Sequence, residues 1–550
     1  MKRVIVSFAV VLSVVTIAAP RPLAQQQLPS AAEFRLVEAT VADMQRALQT
    51  GLITSEQLVQ MYLTRLAAYE DVGPAVNAFI YENPAALNEA RQLDAARHPG
   101  RARSPLYGIP VALKDIIDTQ DMPTTGGSLT LAGSVPPNDA FITRKLREAG
   151  AIVLGKLTLT EFANFISLNM PTGYSGLGLY GFNPYDPRVL PGGDGRPVLQ
   201  TGGSSSGSGI AVNANLVAVA VGTETSGSIL SPASANGVVG IKPTVGLVSR
   251  NGIIPITADQ DTAGPLTRTV ADAAILLGVL AGYDPADVAT AACLTPGNCL
   301  SDYTPFLDKK ALKRARIAVP PFPGNRADIM NGAIEVLRAE GAYVELIDPL
   351  ASQLGVCVTV PAPAGCSTVL LYGQKRDMNA YLATRPNAPV SSLSEIIARN
   401  LTIPGSLKYG QAIFEAADTL DLSPGSADTL RYLADRAEDL LRSRGALDAV
   451  YNGPDGTAGT ADDFDAILLS ANSQAGTTAK AGYPSVSVPG GFLPPSGAIV
   501  NPFPSNVTFT GRAFSEARLI ALAYAFEQAT HHRVPPSSTP PLPTDTVKRH

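Results

Sequence analysis

Two serine–glycine clusters joined by an apolar run constrain this sequence more than any other feature. Residues 202–228 read GGSSSGSGIAVNANLVAVAVGTETSGS, with the clusters at 202–209 and 225–228. Glycine lets a backbone turn tightly and approach a ligand closely, and serine can act as a nucleophile or a proton relay. The apolar run at 216–221 predicts a buried strand, which would hold the clusters on rigid structure. A flexible linker is the alternative, but Gly/Ser linkers do not contain LVAVAV.

Three known glycine-rich motifs can be compared with the first cluster. A phosphate-binding loop requires a lysine where Ser208 stands, and a dinucleotide fingerprint requires a third glycine where Val212 stands. The nucleophile elbow G-x-S-x-G is matched formally at residues 203–207, with Ser205 as its serine. An elbow also needs a preceding strand and a later histidine, so this third motif stays open.

Histidine is scarce, which limits the bases that a serine hydrolase could use. The four histidines are at positions 98, 531, 532 and 550, and no H-E-x-x-H zinc motif is present. A lysine made neutral by burial is the obvious substitute. Lys114 lies in the strand-like segment YGIPVALKDIID, and Lys242 lies in comparable apolar surroundings. Lys114 could instead pair with Asp115 or reach the surface, although neighbouring residues of a strand point to opposite faces. The pattern favours Lys114 and leaves Lys242 as a rival.

These stretches together resemble the amidase signature family. The resemblance rests on GGSSSGSG at 202–209, GTETSGSILSPA at 222–233 and GIPVALKD at 108–115. It extends through GYPSVSVPGG and AYAFEQAT and covers most of the chain from about residue 41 to residue 533. Within the family, the bacterial peptide amidases are the most similar group.

The resemblance implies a Ser–cis-Ser–Lys triad. Lys114 matches the family's lysine, Ser204 its bridging serine after a cis peptide bond, and Ser228 its nucleophile, 24 residues later. The developing oxyanion would be stabilised by backbone N–H groups of the tight turn that holds the nucleophile, namely Thr225, Ser226, Gly227 and Ser228. This chemistry requires no metal and no organic cofactor.

The sequence departs from the family pattern around the nucleophile. Glu224 stands where many members have Asp, Ser226 where many have Gly, and Leu230 where many have Arg. These departures bear on substrate preference more than on the reaction.

The resemblance also implies the reaction, which is hydrolysis of an amide to a carboxylic acid. Removal of the C-terminal amide of a small or short peptide substrate is the expected activity, with aryl or fatty-acyl amides as the alternative substrates. Two other classes of protein share the signature or the fold. One is the A subunit of a tRNA-dependent amidotransferase, and the other is a binding protein without catalytic activity. An N-terminal export signal counts against the first class, and three intact triad positions count against the second.

Composition and element order predict one large α/β domain. The 550 residues are 45% hydrophobic and 16% charged, enough to bury a large core. Alternating helical and strand-like segments predict a central twisted sheet, mixed but largely parallel, covered by helices on both faces. Residues 40–70 predict two helices, capped by Thr40 and Thr54. The domain is expected over residues 25–533, followed by a disordered Pro-rich tail at 534–550.

Residues 1–24 have the pattern of a secretory signal peptide. Lys2 and Arg3 precede the apolar run 4–19, and small residues lead to Gln25. The mature protein is therefore expected in the periplasm or outside the cell. A retained membrane anchor is the alternative, because the run is only slightly short of the ~20 residues that span a bilayer.

Cysteine usage agrees with export. Cys293 and Cys299 are close in sequence, as are Cys357 and Cys366. Pairing of these neighbours is one of the three connectivities that four cysteines allow, and buried free thiols are the alternative.

Charge and loops limit the expected partners. The formal net charge is −5 without a basic cluster, so nucleic acid is not expected as a partner. No membrane contact is expected after removal of the signal peptide, and the oligomeric state is not indicated. Two loops could line a site: 174–201, and 251–267 with Asp259 and Asp261. The acidic stretch 455–463 resembles a calcium loop only loosely and is expected to be an insertion between two strands.

Overall fold

A computed structural model describes residues 33–97, 103–350, 354–359 and 361–549. The predicted signal peptide lies outside the described residues. The strands are β1 (Glu33–Arg35), β2 (Phe79–Glu82), β3 (Pro110–Lys114), β4 (Ile152–Leu157), β5 (Tyr174–Ser175), β6 (Leu179–Tyr180), β7 (Val219–Glu224), β8 (Val239–Lys242), β9 (Thr262–Thr267), β10 (Arg316–Val319), β11 (Tyr343–Leu346), β12 (Gly355–Val356), β13 (Cys366–Ser367), β14 (Ala466–Ser470), β15 (Ser485–Leu493), β16 (Phe503–Thr510) and β17 (Thr546–Lys548).

Helices connect and cover these strands. The α-helices are α1 (Val41–Gln49), α2 (Ser55–Tyr69), α3 (Ala86–Ala95), α4 (Phe141–Glu148), α5 (Glu161–Asn164), α6 (Ser206–Asn213), α7 (Leu230–Ala235), α8 (Val270–Leu280), α9 (Ala327–Ala339), α10 (Val369–Ala383), α11 (Leu393–Asn400), α12 (Ala412–Asp418), α13 (Ala427–Tyr451), α14 (Ala475–Ala481) and α15 (Glu516–Thr530). Short 3-10 helices occur at Leu129–Leu131, Val288–Leu294, Thr304–Phe306, Gly324–Arg326 and Pro543–Asp545.

A mixed sheet organises the molecule. Over the described residues it has eleven strands in the order β11-β10-β14-β16-β15-β8-β9-β7-β3-β4-β2. Four of its ten neighbouring strand pairs are parallel, two near each end, and the others are antiparallel. The mixed sheet is confirmed, but it is less parallel than expected. One reason is that nine residues join β15 to β16, too few for the crossover that a parallel pair needs.

Both faces of the sheet's interior strands are covered. Every residue of β3, β4, β7, β9 and β14 is buried, and successive side chains of a strand point to opposite faces. In the second half of the sheet, α7, α9 and α15 all pack against β15. The α/β architecture with a two-sided cover is therefore as expected.

The first two helices have the predicted caps. The Thr40 side chain accepts a hydrogen bond from the backbone N–H of Asp43, and α1 follows at once. Thr54 does the same with Gln57, whose side chain completes a capping box for α2. Local sequence was sufficient here because the cap, the helix and the apolar stripe all lie within one segment.

The expectation of a disordered C-terminal tail is wrong. Residues 546–548 form β17, which pairs antiparallel with β1. Asp545 is buried and lies 2.6 Å from the buried Arg65 guanidinium, and Tyr69 donates a hydrogen bond to the Pro540 carbonyl at 2.6 Å. The proline-rich composition predicted disorder, but the tail is held by Arg65 and Tyr69 of α2, which are far away in sequence.

The four cysteines and the acidic stretch also have defined places. Disulfides join Cys293 to Cys299 and Cys357 to Cys366, which is the neighbour connectivity. The stretch 455–463 connects α13 to β14 rather than two strands, so that part of the expectation was wrong. No group of three or more metal-ligating side chains occurs within the described ranges. Nor does any helix there combine the length and apolarity that crossing a membrane requires.

Candidate active site

Lys114 ends β3, the third strand from one edge of the sheet, and has no exposed surface. Its strand lies between β4 and β7, and both neighbours are buried apolar strands that exclude water from the amine. Lys114 Nζ lies 2.7 Å from Ser204 Oγ and 2.9 Å from Thr223 Oγ1. The predicted lysine therefore contacts the predicted bridging serine directly.

The surroundings of Lys114 favour its neutral form. Burial lowers the pKa of Lys114 to about 7, and the nearby carboxylates of Asp261 and Glu224 oppose that shift. A large fraction of the amine is thus unprotonated at neutral pH. One N–H can donate to Thr223 Oγ1, which leaves the nitrogen lone pair available to the Ser204 hydroxyl.

Ser204 is held by its backbone. The Gly203–Ser204 peptide bond is cis, as the family resemblance implies. The Ser204 carbonyl accepts a hydrogen bond from Thr160 N–H at 3.0 Å. A Cβ on Gly203 would lie 2.6 Å from Thr160 Oγ1, so only glycine fits beside the serine. Ser204 itself is fully buried.

Ser205 does not belong to a nucleophile elbow. Its hydroxyl donates to the Thr223 carbonyl at 3.0 Å and accepts from Thr223 N–H at 3.1 Å. The segment 181–205 before it contains no strand, and α6 begins at Ser206. The elbow alternative is wrong because Ser205 ties the first cluster to the end of β7.

Ser228 lies on the turn that follows β7. It retains 7% of its surface, whereas Ser204 and Lys114 retain none, so the predicted nucleophile is the accessible member of the three. The Ser205 N–H donates to the Ser228 carbonyl at 3.2 Å and joins the two clusters. Gly227 has φ +90°, a conformation that favours glycine and lets the turn close.

The buried side chain of Glu224 holds the same turn through hydrogen bonds to its backbone. Its Oε2 accepts hydrogen bonds from the backbone N–H groups of Ile229 at 2.8 Å and Leu230 at 3.0 Å. The longer Glu, at a position where many family members have Asp, thus reaches across the turn to the start of α7. Leu230 is buried with 1% of its surface exposed, while Ser226 is exposed. Of these two departures, Ser226 is the one that faces solvent.

The turn presents free donors. Within the part of the chain that the structure describes, the backbone N–H groups of Ser226, Gly227 and Ser228 have no hydrogen-bond acceptor. A Cβ on Gly227 would lie 3.3 Å from Asn472 Nδ2, so the loop before α14 forms the opposite wall. Free N–H groups on a rigid turn are the arrangement that stabilises an oxyanion.

Thr225 opens this turn and is held by residues 251–261, the loop before β9. The expectation that this loop continues to residue 267 was wrong, because residues 262–267 form β9 and pair with β7. Its Oγ1 lies 2.5 Å from Asp261 Oδ1, and its carbonyl accepts from Gln260 Nε2 at 3.2 Å. The sequence indicated that this loop could line a site and named Asp261, but it missed Gln260 and Thr223. The available signal for Thr223 was its place as a polar residue at the end of an apolar strand.

Two other buried lysines have structural partners. Lys242 Nζ donates to the carbonyls of Thr478, at 3.3 Å, and Tyr483, and burial lowers its pKa to about 8. Lys156 Nζ lies 3.2 Å from Asp115 Oδ1. Lys242 contacts neither serine cluster, and Asp115 pairs with Lys156 rather than with Lys114.

Proteins similar to this chain include amidases from several organisms. A family model described as Amidase matches residues 57–398. The chain belongs to the amidase family. A probable amidase of Arabidopsis thaliana is 38% identical and covers 93% of this chain and 93% of its own length. The amidase family relationship makes the protein an amide-hydrolysing enzyme and confirms the resemblance seen in the sequence.

Solved structures of amidases superpose over nearly the whole chain. Native peptide amidase from Stenotrophomonas maltophilia is 40% identical, with a TM-score of 0.79 over 92% of this chain and 99% of that one. An amidase family protein from Bacillus anthracis is 35% identical, with a TM-score of 0.80 over 91% of this chain and 93% of that one. A peptide amidase solved with the competitive inhibitor chymostatin is also 40% identical, with a TM-score of 0.79 over 91% of this chain and 99% of that one.

Proposed function

We propose that this amidase removes the C-terminal amide of peptides with Ser228 as nucleophile, Ser204 as proton relay and Lys114 as base. The observation that carries the proposal is the 2.7 Å contact between the fully buried Lys114 amine and the Ser204 hydroxyl. A lysine with a pKa of about 7 can accept a proton at neutral pH, so no histidine is needed.

The first half-reaction forms an acyl-enzyme. Ser228 Oγ attacks the amide carbonyl carbon while its proton passes to Ser204, whose own proton passes to Lys114. The negative charge on the carbonyl oxygen would be stabilised by the free N–H groups of the Ser226–Ser228 turn, each such donor typically being worth ~3–4 kcal/mol. Collapse of the intermediate breaks the C–N bond, and the proton returns through Ser204 to the departing nitrogen as ammonia leaves.

Water completes the reaction by the reverse path. It attacks the acyl carbon and gives its proton to Ser204 and Lys114, and the Ser228–acyl bond breaks as the proton returns to Ser228. The products are one carboxylic acid and one ammonia for each amide and water consumed. The difference in exposure supports these roles. Ser228, the nucleophile, can be reached by a substrate, whereas Ser204 and Lys114, which relay the proton, are shielded from bulk water.

A small leaving group suits a turn that Asn472 faces at close range. Ser226 is exposed beside the free donors, and Asn472 faces Gly227 from across the turn. The likeness to a peptide amidase at 40% identity supports peptide amides as substrates. Aryl and fatty-acyl amides remain the alternative substrates.

Ammonia release across a substrate panel tests the proposal. We expect kcat/KM for a dipeptide amide to exceed that for a simple aryl or fatty-acyl amide, with internal peptide bonds left intact. The Ser228→Ala variant is the matched control and should release no ammonia above background. A tenfold or larger preference for long-chain acyl or anilide substrates would overturn the peptide assignment and leave the amidase assignment standing.

The tRNA-dependent alternative can be separated in the same assay. A glutamyl-tRNA(Gln) amidotransferase component from Chloroflexus aurantiacus is 42% identical, but over 56% of this chain and 59% of its own length. Ammonia release by the purified protein alone, without ATP, tRNA or partner proteins, supports the hydrolase. Release from glutamine that requires those additions would support the amidotransferase.

We also propose that the protein is exported. The N-terminal pattern of Lys2, Arg3 and the apolar run 4–19 supports cleavage near Gln25, and two disulfides are typical of an oxidising compartment. N-terminal sequencing of protein from the native host should find a start near Gln25 in the periplasmic or external fraction. An intact Met1 in the cytosolic fraction would contradict export.

A further inference from the structure

Asp261 stands immediately beyond the ladder that carries the nucleophile turn. β7 and β9 pair antiparallel up to Glu224 and Thr262. The next residues outward, Thr225 and Asp261, therefore face each other where the ladder ends. Their side chains meet with Thr225 Oγ1 at 2.5 Å from Asp261 Oδ1.

The carboxylate of Asp261 is fixed by its own loop. Its second oxygen, Oδ2, accepts hydrogen bonds from the backbone N–H groups of Ile256 at 2.8 Å and Thr257 at 2.9 Å. The neighbouring Gln260 donates to the Thr225 carbonyl at 3.2 Å. Thr225 is thus held at its side chain and its carbonyl, so the turn that follows starts from a rigid point.

Asp261 also acts on Lys114 through its charge. Among the charged groups that shift the pKa of Lys114, Asp261 is the strongest and Glu224 the second, and both favour the ammonium form. Burial raises the pKa of Asp261 itself to about 7. The hydrogen bonds from Thr225 and Ile256 and the charge of Arg250 oppose the rise, and Asp377 adds to it. Asp261 and Lys114 therefore change charge over the same pH range.

We infer that Asp261 is a positioning residue, which clamps the Thr225 end of the oxyanion turn. This inference rests on the proposed function, because it takes Ser228 as the nucleophile and Lys114 as the base. The clamp acts on turnover at every pH, whereas the charge acts on the pH at which turnover begins. The plateau of a pH profile therefore reports on the clamp, and its acid limb reports on the charge.

The sign of the pH effect follows from the chemistry. Lys114 accepts a proton only when neutral, so kcat/KM should rise with pH through the pKa of Lys114. A negative charge nearby raises that pKa, and its removal lowers it. Neutralising Asp261 should hence move the acid limb of the profile to lower pH.

The experiment is a set of pH profiles of ammonia release from a dipeptide amide, measured on the full-length enzyme. Asp261→Asn should lower the plateau and move the acid limb to lower pH by about half a pH unit, a small shift because Asp261 is itself partly protonated in that range. Thr225→Val removes the hydroxyl that Asp261 holds and should lower the plateau by about tenfold or more. The same hydrogen bond lowers the pKa of Asp261, so its loss makes Asp261 more neutral and should move the acid limb to lower pH, by no more than Asp261→Asn moves it.

Asp259→Asn is the matched control. Asp259 lies on the same loop but contacts the Tyr432 hydroxyl at 2.9 Å and the Arg376 guanidinium at 3.2 Å. It should leave the acid limb where the wild type has it. A limb that moves equally in Asp259→Asn would show a general effect of the loop and overturn the charge role.

The remaining outcomes each decide one part. An unmoved limb in Asp261→Asn rejects the charge role, and an unchanged plateau in Thr225→Val rejects the clamp. If Asp261→Asn fails to fold, Asp261→Ser is the second neutral variant and should show the same shift. A wild type that releases no ammonia, or a fully active Ser228→Ala, would instead reject the proposed function.

Discussion

At the scale of single residues, the mechanism depends on which buried lysine meets a serine hydroxyl. Lys114 Nζ contacts two hydroxyl groups, whereas Lys242 Nζ donates to two backbone carbonyls. Lys114→Met removes the proton acceptor and should lower kcat by about 10³-fold or more. Lys242→Met leaves the Lys114–Ser204 contact intact and should keep kcat within about tenfold of wild type.

The measurement is steady-state ammonia release by both variants, with thermal unfolding to confirm that each is folded. Near-normal turnover in Lys114→Met, with loss in Lys242→Met, would reverse the assignment of the base. Sequence spacing favoured Lys114 without deciding between the two, because both lysines lie in apolar strands. Only the folded chain brings one of them to Ser204.

At the scale of elements, the turn between β7 and α7 depends on Glu224. Its carboxylate accepts from two backbone N–H groups at the start of α7, Ile229 and Leu230. Glu224→Ala should lose both contacts and destabilise the protein by about 1–2 kcal/mol, with a lower kcat because the turn carries Ser228. Glu224→Gln keeps one acceptor oxygen and should lose less.

Urea unfolding and kcat, measured on both variants, test this role. An Ala variant as stable and active as the Gln variant would show that the carboxylate does not hold the turn. The sequence predicted the turn, its glycine and its serine from one short motif. The sequence could not predict that Glu224 closes the turn. Whether its side chain is long enough to reach the N–H groups of Ile229 and Leu230 depends on the path of the backbone, which only the folded structure shows.

At the scale of the whole molecule, the two ends of the described chain close the domain together. β17 pairs with β1, and Asp545 lies 2.6 Å from Arg65, a guanidinium without exposed surface. Asp545→Ala should leave that guanidinium without its carboxylate and destabilise the protein by about 3–5 kcal/mol. Lys548→Ala, an exposed substitution on the same strand, should cause little change.

The urea unfolding midpoints of these two variants provide the test, and equal midpoints would contradict the anchoring role. The contact joins residues 480 positions apart, which explains why composition predicted disorder instead. The α/β class, the capped helices and the mixed sheet followed from local patterns and a family resemblance. The tail and the Asp261 clamp did not, because both depend on pairings between distant segments.

The identity of the nucleophile is the claim on which the other assignments depend, and covalent labelling tests it most directly. The enzyme is treated with a serine-reactive fluorophosphonate and digested, and the modified residue is located by mass spectrometry. The triad predicts a single adduct on Ser228, absent in Ser228→Ala and formed much more slowly in Lys114→Met. An adduct on Ser204 or Ser205, or undiminished hydrolysis by Ser228→Ala, would contradict the assignment.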